Sequence, residues 1–183
     1  MEDIKSKITK ENFLSFGTCR IVFDLGNGTV LKIPYNNLGI EANQLEYEYS
    51  KGKNDIVAEI YMYENNLIIQ EKLDNIVTVP YEHTINGTVR EYLTEQGIVV
   101  EDRMIDEMLK TRMQIGTDAN GKYKFFDYED AKIKHKSILE PFKMNEKWLP
   151  AFLDYINNFG IENIKEWETF EDHRGFLVEY DEE

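Results

Sequence analysis

Between Phe16 and Glu46 the chain reads FGTCRIVFDLGNGTVLKIPYNNLGIEANQLE, and a lysine sits in the middle of its most strand-like run. In Thr29-Val30-Leu31-Lys32-Ile33-Pro34, Lys32 is flanked by Leu31 and Ile33. Pro34 closes the run, because proline has no N–H for a ladder. Gly17 to Leu25 is the expected partner strand, and Gly26-Asn27-Gly28 supplies turn residues that tolerate positive φ. A helix carrying Asn43, Glu46 and Tyr49 at helical spacing follows, reaching Ser50 with Gly52 as its stop. A lysine placed like Lys32 either snorkels to water or pairs with a carboxylate.

Further on, Asp55 to Tyr63 (DIVAEIYMY) reads as a strand, Glu64-Asn65-Asn66 as a turn and Leu67 to Gln70 as a returning strand. From Thr78 the apolar spacing becomes helical. Helices are expected over Thr88–Gln96, closed by Gly97, and over Glu101–Met113, with Met104, Ile105, Met108 and Leu109 on one side. The run from Ile115 to Tyr128 reads as a hairpin turning at Asp118-Ala119-Asn120-Gly121. The spacing after Asp118 does not fit a calcium loop. Asn145–Asn158 predicts an amphipathic helix with Trp148, Leu149, Phe152, Tyr155 and Ile156 on one face. Ile161–Phe170 predicts a short helix, and Phe176–Tyr180 a terminal strand. These aromatics are expected to pack a second lobe, and Trp148 or Trp167, if exposed, would mark a partner surface.

Thirty-five acids against 21 bases give a net charge of -14, which disfavours direct nucleic-acid binding and fits a partner with a basic face. The one cysteine, Cys19, excludes an internal disulfide and a cysteine-rich zinc site. His83, His135 and His173 lie too far apart for metal spacing. No run of about 18 apolar residues predicts a membrane span. The first residues, MEDIKSKITKEN, lack an apolar signal region, so a cytoplasmic location is expected.

Gly17, Arg20, Val22, Phe23, Leu25, Gly28, Val30, Leu31, Lys32, Gly39, Asn43 and Glu46 follow the pattern G-x-x-R-x-V-F-x-L-x-x-G-x-V-L-K, then G-x-x-x-N-x-x-E. With Gly116, Gly121 and Phe126-Asp127-Tyr128 downstream, the chain resembles the small kinase-like proteins of bacteria and phages. The resemblance implies an α+β, protein-kinase-like fold. An antiparallel-sheet N-lobe would span residues 1–73, and a reduced, mostly helical C-lobe 74–183 with its hairpin at 115–128. Glu71-Lys72-Leu73 would cross between the lobes. It further implies a nucleotide site of Gly17, Arg20, Lys32 and Glu46, metal ligands Asp127 and Gln114, and ATP with Mg²⁺ as cofactors.

The same resemblance places Leu109 where the family has its catalytic aspartate, Thr111 at the histidine and Gln114 at the asparagine. Leucine can neither accept a proton nor orient a hydroxyl. Glu129 follows Asp127-Tyr128 in place of a glycine, and the phosphate-covering loop keeps only Gly17. Asp102, Asp106 and Glu107 are candidates for a substitute acid, or else solvated helix-surface charges. The expectation is a pseudokinase that acts by binding a macromolecular partner. By analogy with phage members, that partner is a host or defence factor in the host cytoplasm. The alternative is an active small ATP/Mg²⁺-dependent kinase or nucleotide-transferring enzyme.

Overall fold

The structure is a computed structural model and describes residues 2–17, 19–108, 112–129 and 148–169. Its architecture is α+β, with a five-stranded antiparallel sheet, a smaller three-stranded sheet and several helices.

The larger sheet has the order β1-β2-β3-β5-β4. Its strands are β1 (Phe13–Phe16), β2 (Arg20–Asp24), β3 (Thr29–Pro34), β4 (Ile60–Glu64) and β5 (Leu67–Glu71). Val22 pairs with Lys32 and Lys32 with Ile68, while Val30 pairs with Gln70. Side chains alternate across a sheet, so Arg20, Val22, Lys32, Ile68 and Gln70 share one face. Ile21, Phe23, Leu31 and Ile33 point the other way and are fully buried.

The strand expected from Gly17 to Leu25 is broken. Gly17 donates its N–H to the Arg20 carbonyl at 2.8 Å, closing the turn by which the chain reverses from β1 into β2, and β1 is a strand the sequence reading did not contain. Between β2 and β3, Gly26 and Gly28 take φ of 79° and 77°, as the turn requires.

A short helix, α1 (Glu2–Lys5), precedes the sheet, and helix α2 (Asn37–Ser50) starts where Asn36 Oδ1 accepts the Gly39 N–H at 2.9 Å. It approaches β2 and β3 so closely that a Cβ on Gly39 would lie 2.2 Å from the Cys19 carbonyl oxygen. Buried Asn43 and Glu46 then fall on the face turned to the sheet.

Asp55–Tyr63 is not one strand. The ladder with β5 starts at Ile60, with the Glu59 carbonyl accepting the Glu71 N–H just before it, and the buried Ile56-Val57-Ala58 forms a seam to the second sheet. There Phe125 donates to the Ile56 carbonyl at 3.0 Å and Ala58 to the Phe125 carbonyl at 2.9 Å.

The second sheet has the order β6-β7-β8, with β6 (Asp74–Thr78), β7 (Arg112–Thr117) and β8 (Tyr123–Glu129). The hairpin turns at Asp118–Gly121, where Asp118 Oδ1 accepts the N–H groups of Asn120 and Lys122, each at 2.9 Å. Helices α4 (Val89–Glu95) and α5 (Asp102–Met108) share a core with it, built on Val89, Leu93, Met104, Ile105, Ile115 and Phe125, while α3 (Tyr81–Asn86) sets the His83 ring against Tyr92 of α4. The helix expected over Glu101–Met113 is therefore shorter: Arg112 already belongs to β7 and pairs opposite Glu129. Leu109 and Thr111 lie outside the described residues.

The aromatics near the C-terminus do not build a second lobe. Helix α6 (Trp148–Phe159) and a 3-10 helix (Ile161–Thr169) cover the face of the large sheet opposite α2. Trp148, Phe152 and Trp167 pack with Ile21, Phe23, Leu31 and Ile33. Both tryptophans are 1% exposed, so neither marks a partner surface. The start of the helix expected at Asn145 and the strand expected at Phe176–Tyr180 lie outside the described residues. Among those residues no helix is long and apolar enough to cross a membrane.

Candidate functional site

The polar face of the large sheet, α2 and β8 meet around Glu46. The sequence dictates much of this. Lys32 lies mid-strand on the face that α2 covers, and Asn43 and Glu46 are three residues apart on one side of α2. Arg20, at the start of β2, shares the face of Lys32. Asp127 enters from β8 with a left-handed φ of 56°, rare outside glycine, asparagine and aspartate.

Glu46 is fully buried and accepts four hydrogen bonds. Lys32 Nζ donates to Oε1 at 2.6 Å, Gln70 Nε2 to Oε1 at 3.1 Å, and the Asp127 N–H to Oε1 at 3.3 Å. Arg20 Nη1 donates to Oε2 at 2.5 Å. Three of these bonds fall on Oε1 and one on Oε2, so the donors crowd one oxygen of the carboxylate. Arg20 Nη2 also pairs with Asp127 Oδ1, and Lys32 Nζ stands 5.7 Å from the Phe126 ring centre. Asn43 accepts from Arg20 at 3.3 Å and donates to the Asn66 carbonyl at 2.6 Å, tying α2 to the β4–β5 turn.

Arg20 and Lys32 are only 5% and 4% exposed, whereas a third of the Asp127 side chain reaches solvent. Two cations and two carboxylates leave these four residues formally neutral. Burial pushes the Glu46 carboxyl up, Lys32 and then Arg20 pull it down, and Asp127 opposes them. The balance leaves it below the usual glutamate value.

Of the expected site residues, Arg20, Lys32, Glu46 and Asp127 come together. Gly17 does not join them: its N–H is engaged by Arg20 O, and its carbonyl accepts from the Tyr35 hydroxyl at 2.6 Å. Gln114 donates to Thr78 Oγ1 at 2.8 Å, across to β6. Glu107 is not the solvated acid expected. It accepts from Tyr49 and from Lys53 at 3.3 Å, joining α5 to α2, and burial and then Glu107 hold the Tyr49 hydroxyl above its ordinary value. Asp102 pairs with Arg90 at 2.7 Å. Gln70 was missed. Its signal was available, as a polar residue closing the apolar LIIQ run two positions after Ile68, on the lysine side of the sheet.

Arg20 bridges Glu46 and Asp127, and Lys32 pairs with the other Glu46 oxygen, so each cation of the cluster already faces a carboxylate. Among the described residues no group of three or more His, Cys, Asp or Glu side chains is placed to hold a metal ion. Comparison with family models, curated proteins and solved structures finds no match to this chain.

Proposed function

We propose that this chain is a kinase-like protein whose nucleotide site has become a structural ion cluster, and that it acts by binding a protein partner with a basic surface. The observation that carries the reading is the internal pairing of Arg20 and Lys32 with Glu46 and Asp127. A phosphate reaching either cation would have to compete with a carboxylate already paired to it. The net charge of -14 supports a basic partner, since complementary fields speed encounter and suppress wrong partners. A phage-encoded protein directed at a host or defence factor fits this reading.

The test is thermal melting with and without ATP and Mg²⁺, alongside capture of partners from a bacterial lysate. The melting temperature should not move with nucleotide. A basic protein should be captured at low salt and released at high salt. Recovery of no specific protein at moderate salt would count against the proposal.

A second reading, an active small ATP/Mg²⁺-dependent kinase or nucleotide-transferring enzyme, is favoured by the 2.6 Å Lys32–Glu46 pair with Asp127 beside it. It requires a melting rise of roughly 5–10 °C at about a hundredfold excess of nucleotide over its dissociation constant. Asp127→Asn should abolish that rise.

A further inference from the structure

We propose that the Arg20 guanidinium is a built-in counter-cation that holds the Glu46 and Asp127 carboxylates together, where two acids from separate elements would otherwise need a bound cation. It deepens the reading above and rests on it only in treating the cluster as a converted nucleotide site.

Arg20 reaches Glu46 of α2 through one terminal nitrogen, at 2.5 Å, and Asp127 of β8 through the other. A planar guanidinium is suited to this, because its donors form a rigid fork with two directions of attachment. Lys32 cannot take over the role. Its ammonium is a single point, already 2.6 Å from the other Glu46 oxygen. Without Arg20, one ammonium would face two carboxylates, and the cluster would carry a formal charge of minus one. Acids so placed either take up a proton or recruit a cation. The same arginine nitrogen lies 3.3 Å from Asn43 Oδ1, which fixes the guanidinium plane. Asp127 also gives its N–H to Glu46 while holding a left-handed φ. Such a backbone persists only where its surroundings over-determine it. The arginine thus joins the large sheet, α2 and β8 through one side chain.

The test is chemical rescue in the full chain. Arg20→Ala should lower the melting temperature by on the order of 10 °C, because it leaves buried carboxylates under-compensated. Millimolar methylguanidinium, against sodium chloride at matched ionic strength, should recover part of that loss. It should leave the wild type unmoved, and the recovery should vanish when Asp127→Asn is added. No recovery, or recovery that ignores Asp127→Asn, would overturn the proposal. If Arg20→Ala does not fold, Arg20→Lys decides. It keeps the charge but cannot fork, so it should melt well below wild type and regain stability with Asp127→Asn. Melting together with wild type would equally sink the idea. ATP and Mg²⁺ on the wild type report separately: a rise there would remove the partner reading while rescue still reads the guanidinium alone.

Discussion

Glu46 is the residue on which the most chemistry converges, and its protonation should be visible in the stability of the fold. Burial alone would favour the neutral acid, but Lys32 and Arg20 outweigh it and hold the carboxyl below its ordinary range. The folded state therefore binds this proton less readily than the unfolded chain does. The resulting stability is present above the unfolded value of about 4.3 and is lost as pH falls through the lower folded value. Urea unfolding across that acid range should show a steep decline in the wild type. Glu46→Gln should flatten it and lower stability at neutral pH by about 3–5 kcal/mol, since Arg20 and Lys32 would then face a neutral amide. An unchanged acid slope in Glu46→Gln would place the proton elsewhere.

Among the elements, α2 is bound to the sheet by the absence of a side chain as much as by the presence of others. Gly39 lets the helix backbone reach within contact of the Cys19 carbonyl and Pro34. Gly39→Ala, in a helical conformation that alanine otherwise favours, should cost about 1–3 kcal/mol through the forced shift. Calorimetry that found the variant more stable would show that the helix can move freely. Sequence reading reached β3, α2 and the β7–β8 turn because their signals are local: a proline stop, helical spacing closed by a glycine, and the Asp118–Gly121 turn. It missed β6, whose residues are mostly exposed and carry no alternation. It ran the helix from Glu101 past Met108 because Met104, Ile105 and Met108 keep helical spacing, whereas Arg112 is drawn into β7 by pairing with β8. Ile56-Val57-Ala58 is as apolar as a strand and becomes a seam, a choice made by Phe125, about seventy residues away in sequence. The resemblance named all four residues of the charge cluster, but only the Lys32–Glu46 pairing was legible; that Arg20 also meets Asp127 depends on where β8 arrives, which no local pattern records.

At the scale of the whole molecule, the core of the large sheet draws on residues from both sides of the boundary expected at residue 73. The large sheet is finished by α6 and the 3-10 helix, which lie beyond the second sheet in sequence. A fragment of residues 1–73 would leave Ile21, Phe23, Leu31 and Ile33 without the tryptophans that cover them. It should bind a hydrophobic dye, lack a cooperative melting transition and aggregate, whereas the full chain should melt as one unit. A fragment with a sharp transition of its own would show that the sheet closes without its C-terminal cover.

Among the described residues, helices cover both broad sides of the large sheet and leave its margins, and each margin is kinked. In β1 the register slips between Phe13 and Ser15, pushing Leu14 outward at 45% exposure, and in β4 it slips between Ile60 and Met62 at Tyr61, 54% exposed. Kinks of this kind deny an incoming chain the straight row of amides it would need to zip on as a sixth strand. Whatever docks here must be recognised by side chains, tyrosine rings and carboxylates, and not by borrowed backbone.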